Sequence, residues 1–162
     1  MSWLERHLGS NQVSRVMYGA IIGLALVVAL EAHPPRPAVM VATLLGTAVA
    51  VGLAELYSEV LETEVRTRRR VGRAHFREIA TDVAAVAIGV SFPAVFFLLS
   101  AAGAMEVGTA FEWAKWSGLV LIGFYGFCAG RLSGMGLSAA FVQAATAAAI
   151  GGFLIGLKAL VH

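Results

Sequence analysis

Charge is nearly absent from long windows of this chain and crowded into a few short ones. That pattern narrows the possible folds more than any other feature. About 17–25 mainly apolar residues cross a bilayer as a helix. Lipid offers no partner to a backbone amide, so a spanning segment must close its own hydrogen bonds. Only 14% of the 162 residues are charged, whereas a soluble domain carries about 25%. Mean hydropathy is +0.80. The expectation is an all-α fold: one polytopic transmembrane helix bundle over residues 1–162.

Five spans are expected, at about 14–31, 38–57, 81–103, 113–130 and 137–158, with a cytoplasmic helical segment over about 58–80. The uncharged run Val16–Leu30 is short, so Val13 and a snorkelling Arg15 extend the first span. No small-x-small cleavage site follows it, which reads as an uncleaved helix and not a signal peptide. The prolines of His33–Pro37 break the chain before the second span. Pro93 should kink the third. Trp113, Lys115 and Trp116 read as an interfacial anchor at the start of the fourth. Arg131–Gly136 reads as a short turn before the fifth.

Basic residues set the orientation. Arg6, Arg15, Arg66, Arg68, Arg69, Arg70, Arg73, Arg77 and Arg131 collect on one side; Arg36, Lys115 and Lys158 fall on the other. The positive-inside rule places the N-terminus in the cytoplasm and the C-terminus outside. Ten arginines against two lysines suggest a GC-rich genome, hence a bacterial plasma (inner) membrane. Gly19-xxx-Gly23, Gly126-xxx-Gly130 and Gly152-xxx-Gly156, with the alanines of 139–149, offer small-residue faces for close packing within the bundle or in a homo-oligomer.

A charge at mid-bilayer costs about 2.5–3.5 kcal/mol on insertion scales, so an ionisable group there is a functional candidate. None stands at the centre of a span. The candidates lie at span ends. Glu31 and His33 close the first. Glu55, Glu59 and Glu62 share a face at the inner end of the second; Asp82, near Glu78 and His75, opens the third. Counted from Ala38 at 1.5 Å per residue, Glu55 falls about 25 Å along its helix, just inside the inner edge of a hydrocarbon layer of about 30 Å. Glu55, Glu59 and Asp82 are the candidate ligands for a hard or borderline divalent cation, with His75 a further donor. The plainer reading gives Glu62–Arg66 and Glu64–Arg68 to helix ion pairs in the favoured order.

Arg66, Arg68, Arg69 and Arg70 are expected to contact anionic lipid headgroups. Nucleic acid is not an expected partner, because the run is short and flanked by acids. Gln143, Thr146, Tyr18 and Tyr125 are expected to hydrogen-bond between helices. Cys128 should pack as a small apolar residue. No nucleophile triad, metal-protease motif or phosphate loop is present, so no enzyme and no cofactor are expected.

Through "RVMYGAIIGLALVVALEAHPP", "AELYSEVLETEVRTRRRV", "FPAVFFLL" and "AKWSGLVLIGFYGFCAGRLSG" the chain resembles a group of small integral membrane proteins of high-GC bacteria. That likeness implies no particular activity. "GLAELYSEVLETE" is similar in placement to a motif of the vacuolar iron transporter family, with Glu55, Tyr57 and Glu59 the nearest matches. This likeness implies five spans and movement of a divalent cation. The family's acidic residue in the first span has no counterpart within Val16–Leu30. Two functions stand side by side: a small cation transporter using the acidic end of the second span, or a non-transporting scaffold or accessory subunit.

Overall fold

A computed structural model describes residues 10–161. Arg6 and the side chain of Lys158, both counted for orientation above, lie outside the described residues. Six helices follow one another: α1 (Ser10–Leu30), α2 (Pro37–Thr67), α3 (Arg73–Ser91), α4 (Ala94–Ala101), α5 (Val107–Leu132) and α6 (Leu137–Val161). Among the described residues there is no strand, as the charge pattern requires.

The stops are local chemistry. Pro37 occupies the start of α2, where its missing N–H would have had no helical partner. Arg68 ends α2 in the left-handed region at φ 53°. Between α3 and α4, Pro93 can give no amide to the preceding turn, and the axis bends by 49°. The bend carries α4 away from the line of α3 and against α2 and α5.

Three helices are long and apolar enough to cross a membrane: α1 over Gln12–Leu30, α2, and α6 over Leu137–Leu157. The bent pair α3–α4 makes a fourth if it is one broken span. Helix α5, with Glu112, Lys115 and Arg131, is not among them.

Helix α1 is the hub. It packs on α3 and α5 along most of its length and on α6 over part of it. Its contact with α3 is backbone against backbone. A Cβ on Gly19 would run into the Val86 carbonyl oxygen, one on Gly89 into that of Val16, and one on Gly23 would sit 2.8 Å from that of Val90. Without a hydrophobic effect in lipid, such close approach supplies the packing energy. The α5–α6 seam repeats the device, with Gly126 facing Ala147 and Gly130 facing Ala140. The third glycine pair differs: nothing lies within 4 Å of a Cβ on Gly152 or Gly156. The expected interhelical glue on α6 differs as well. Thr146 donates to its own helix, at Val142 O (2.9 Å), and Gln143 is exposed. A hydroxyl that reaches the carbonyl one turn back satisfies itself without a partner helix.

Three apolar clusters line the axis of α1. Val27 meets Met40, Leu44, Phe97, Phe111 and Ala114 toward one end. Ala20, Leu24 and Val28 meet Ile122 and Ala147 in the middle. Ala48, Val86 and Val90 pack together toward the other end. Phe97 and Phe111 meet edge to face, their centroids 4.8 Å apart. Large apolar side chains such as Val49, Leu53, Val120, Phe141 and Phe153 point outward. A water-exposed surface this apolar would be an aggregation hazard, but lipid accepts it.

Gly89→Ala should lower stability in detergent by about 1–3 kcal/mol, the usual cost of overpacking. Gly152→Ala should leave it unchanged. Thermal unfolding of the two variants side by side checks both.

Candidate functional site

The α1–α3 contact sets the level of the charged groups. The two helices run parallel, with Gly19 beside Val86 and Gly23 beside Val90. One turn earlier on each stand Arg15 and Asp82, which this register brings together. Helix α2 runs the opposite way past the same end and delivers Glu55 and Glu59, one turn apart on one face.

The result is one guanidinium held by three carboxylates. Arg15 Nη1 donates to Glu55 Oε1 at 3.2 Å. Its Nη2 donates to both Glu59 oxygens, at 2.8 and 2.7 Å. Its Nε stands 3.7 Å from Asp82 Oδ2, within ion-pair reach. Only 19% of the Arg15 side chain is exposed. Guanidinium donors lie in a plane and point several ways, so one arginine can meet three carboxylates from two helices and hold one of them through both of its oxygens. Three carboxylates against one guanidinium leave two negative charges in excess.

A second ion cluster closes the other end of α1. Lys115 Nζ, near the start of α5, lies 2.7 Å from Glu31 and 2.6 Å from Glu112. Trp116 Nε1 donates to the other Glu112 oxygen at 3.1 Å. No charge stands on α1 between Arg15 and Glu31. At 1.5 Å per residue the two are about 24 Å apart, just inside a hydrocarbon layer of about 30 Å.

The three candidate ligands Glu55, Glu59 and Asp82 are therefore brought together, but around Arg15. Among the described residues no group of three or more His, Cys, Asp or Glu side chains is arranged to hold a metal ion. His75 stays out of the cluster; it is exposed and pairs with Glu78 on its own helix at 3.1 Å. Glu62 is exposed and lines a recess of about 170 Å³ with Arg15, Glu55, Ser58 and Glu59. A second recess, of about 430 Å³, lies against Ser14, Arg15, Tyr18 and Glu55.

Several expectations need correction. Arg15, expected to snorkel, instead has its guanidinium held by carboxylates of α2 and α3. Lys115 is more than an interfacial anchor, since it ties α5 to Glu31 at the end of α1. Neither Glu62–Arg66 nor Glu64–Arg68 is an ion pair among the described residues. Glu64 instead accepts the Val71 backbone N–H at 3.2 Å, and the left-handed turn at Arg68 takes that residue out of helical register. Sequence reasoning gives Arg15 to topology and to the extension of the first span, and so passes over it as a site residue. Its signal was depth: it is a basic residue within reach of three acids at one level.

No family model matches the chain, and neither a curated protein nor a solved structure matches it.

Arg15→Gln should destabilise the bundle by about 2 kcal/mol, below the roughly 3–5 kcal/mol of a fully buried pair because solvent reaches the site. Adding Glu59→Gln should recover part of that loss, since one stranded charge is then gone. A double-mutant cycle in thermal unfolding measures the coupling.

Proposed function

We propose that this chain is a five-span protein of a bacterial plasma membrane, N-terminus inside, that serves as a non-transporting scaffold or accessory subunit. In this reading α1, α2, the broken α3–α4 pair, α5 and α6 are the spans. Trp113, Trp116 and the Lys115 cluster start α5 at the outer interface, which offsets its lower apolarity.

One observation carries the scaffold reading. Arg15 engages all of Glu55, Glu59 and Asp82, so the acidic end of the bundle supports its own helix packing. The backbone contacts at Gly19, Gly23 and Gly89 add to it: they lock α1 onto α3 and leave little room for one to slide past the other. A rigid, apolar body with outward-facing helices suits docking against other membrane proteins better than alternating access.

A second reading has its own support. The two excess negative charges stand beside recesses of about 430 and 170 Å³. A small divalent cation drawn there would displace the Arg15 guanidinium and take oxygen ligands from Glu55, Glu59 and Asp82.

One assay separates the readings. Protein reconstituted in liposomes holding a divalent-sensitive dye is exposed to manganese or iron(II). The scaffold reading expects uptake equal to that of protein-free liposomes. Uptake above that level, abolished by Glu55→Gln with Glu59→Gln, would establish the cation reading instead.

A further inference from the structure

The turn between α2 and α3 carries a group of arginines that nothing in the fold uses. Arg66, Arg68, Arg69, Arg70, Arg73 and Arg77 are all exposed, and none lies within ion-pair distance of a carboxylate among the described residues. The turn that displays them is built. Glu64 accepts the Val71 N–H, and the Thr67 hydroxyl donates to Thr63 O at 2.7 Å and lies 3.3 Å from Arg69 O. Arg68 adopts φ 53°, a left-handed conformation that non-glycine residues enter at a cost.

Depth decides what these arginines can meet. The Arg15 and Glu31 levels are about 24 Å apart, so each sits about 3 Å inside a hydrocarbon layer of about 30 Å. From Glu59 to Arg68, and from Asp82 to Arg73, the chain climbs nine helical positions, about 13 Å. Both limbs put the turn about 10 Å beyond the hydrocarbon edge. A headgroup layer is about 5–8 Å thick on each side. Arg77 thus lies within that layer and Arg66 near its outer limit. Arg68, Arg69, Arg70 and Arg73 stand past it, in water. This divides the arginine group that the sequence assigns wholly to lipid.

We infer that the α2–α3 turn is a docking site for an acidic segment of a soluble partner protein, with Arg68, Arg69, Arg70 and Arg73 receiving its carboxylates. Unpaired guanidiniums on a preformed turn suit bidentate carboxylate binding. The site is compact, and Glu62, Glu64 and Glu78 flank it, which opposes the long, continuous anion of a nucleic acid. The inference rests on the spanning, scaffold reading of the bundle and names the chemistry of what the scaffold recruits.

The full chain in phosphatidylcholine nanodiscs, titrated with a fluorescent oligoglutamate peptide, tests it. Binding should occur, and Arg69→Gln with Arg70→Gln and Arg73→Gln should weaken it about tenfold. Thermal unfolding of that variant should be unchanged, because these side chains have no partner to lose. Arg77→Gln should move peptide affinity less than about twofold. Phosphatidylglycerol discs at equal ionic strength should leave most of the binding intact. The inference fails if the wild-type protein does not bind the peptide, if anionic discs abolish binding, or if an oligonucleotide of equal charge binds at least as tightly. The liposome uptake assay judges the scaffold reading separately.

Discussion

Arg15 meets Glu55, Glu59 and Asp82 at one level, and the shared level of α1, α2 and α3 depends on that meeting together with the glycine contact between α1 and α3. A charge just inside the hydrocarbon edge needs a counter-charge, and a carboxylate there needs one equally. Arg15 on α1 reaches the two acids on α2 and the one on α3 only if the three helices share a register. Glu31 and Lys115 impose the same condition on α1 and α5 at the far end. Between Arg15 and Glu31 the chain is thus a charge-free helical rod pinned at both ends. Its middle is free to be selected for closeness alone, and there Gly19 and Gly23 bring its backbone onto α3.

This arrangement explains why the acidic face does not look like a metal centre. Metal ligands converge on a point, whereas these carboxylates are spread around a planar guanidinium. The same side chains serve either purpose, and the difference lies in whether a cation is already built into the chain. Two excess charges keep the cluster electronegative, which is the physical basis of the cation reading; full engagement of the three acids by Arg15 is the basis of the scaffold reading.

Much of the fold was legible in the residues. Pro37 at the start of α2 and the bend at Pro93 follow from a missing amide donor, a local property that needs no neighbour. The shared face of Glu55 and Glu59 followed from counting along a helix. The site was legible only in part. Glu55, Glu59 and Asp82 were singled out for their depth, yet Arg15 was set aside because topology already accounted for it. The pairs Glu62–Arg66 and Glu64–Arg68 looked equally sound by spacing. Glu64–Arg68 did not form because the turn claimed Glu64 for a backbone N–H and put Arg68 out of helical register; Glu62 and Arg66, both within α2, stay exposed and apart.

By itself, the sequence determined a helical chain, its breaks at His33–Pro37 and Pro93 but not the one at 68–72 inside the expected helical segment 58–80, and that its charged groups keep away from the span centres. These follow from hydropathy, proline chemistry and the cost of an unpaired amide in lipid, all of which act along the chain. Only the tertiary structure decided which charges are partners, which glycine pairs are used and which stays open, and which arginines are left without a carboxylate among the described residues. Those outcomes depend on the relative register of helices far apart in sequence. Between α1 and α3 that register is held by the backbone contact of Gly19 with Gly89 and by the Arg15–Asp82 pair; spacing proposes Gly19 but cannot match it to its partner.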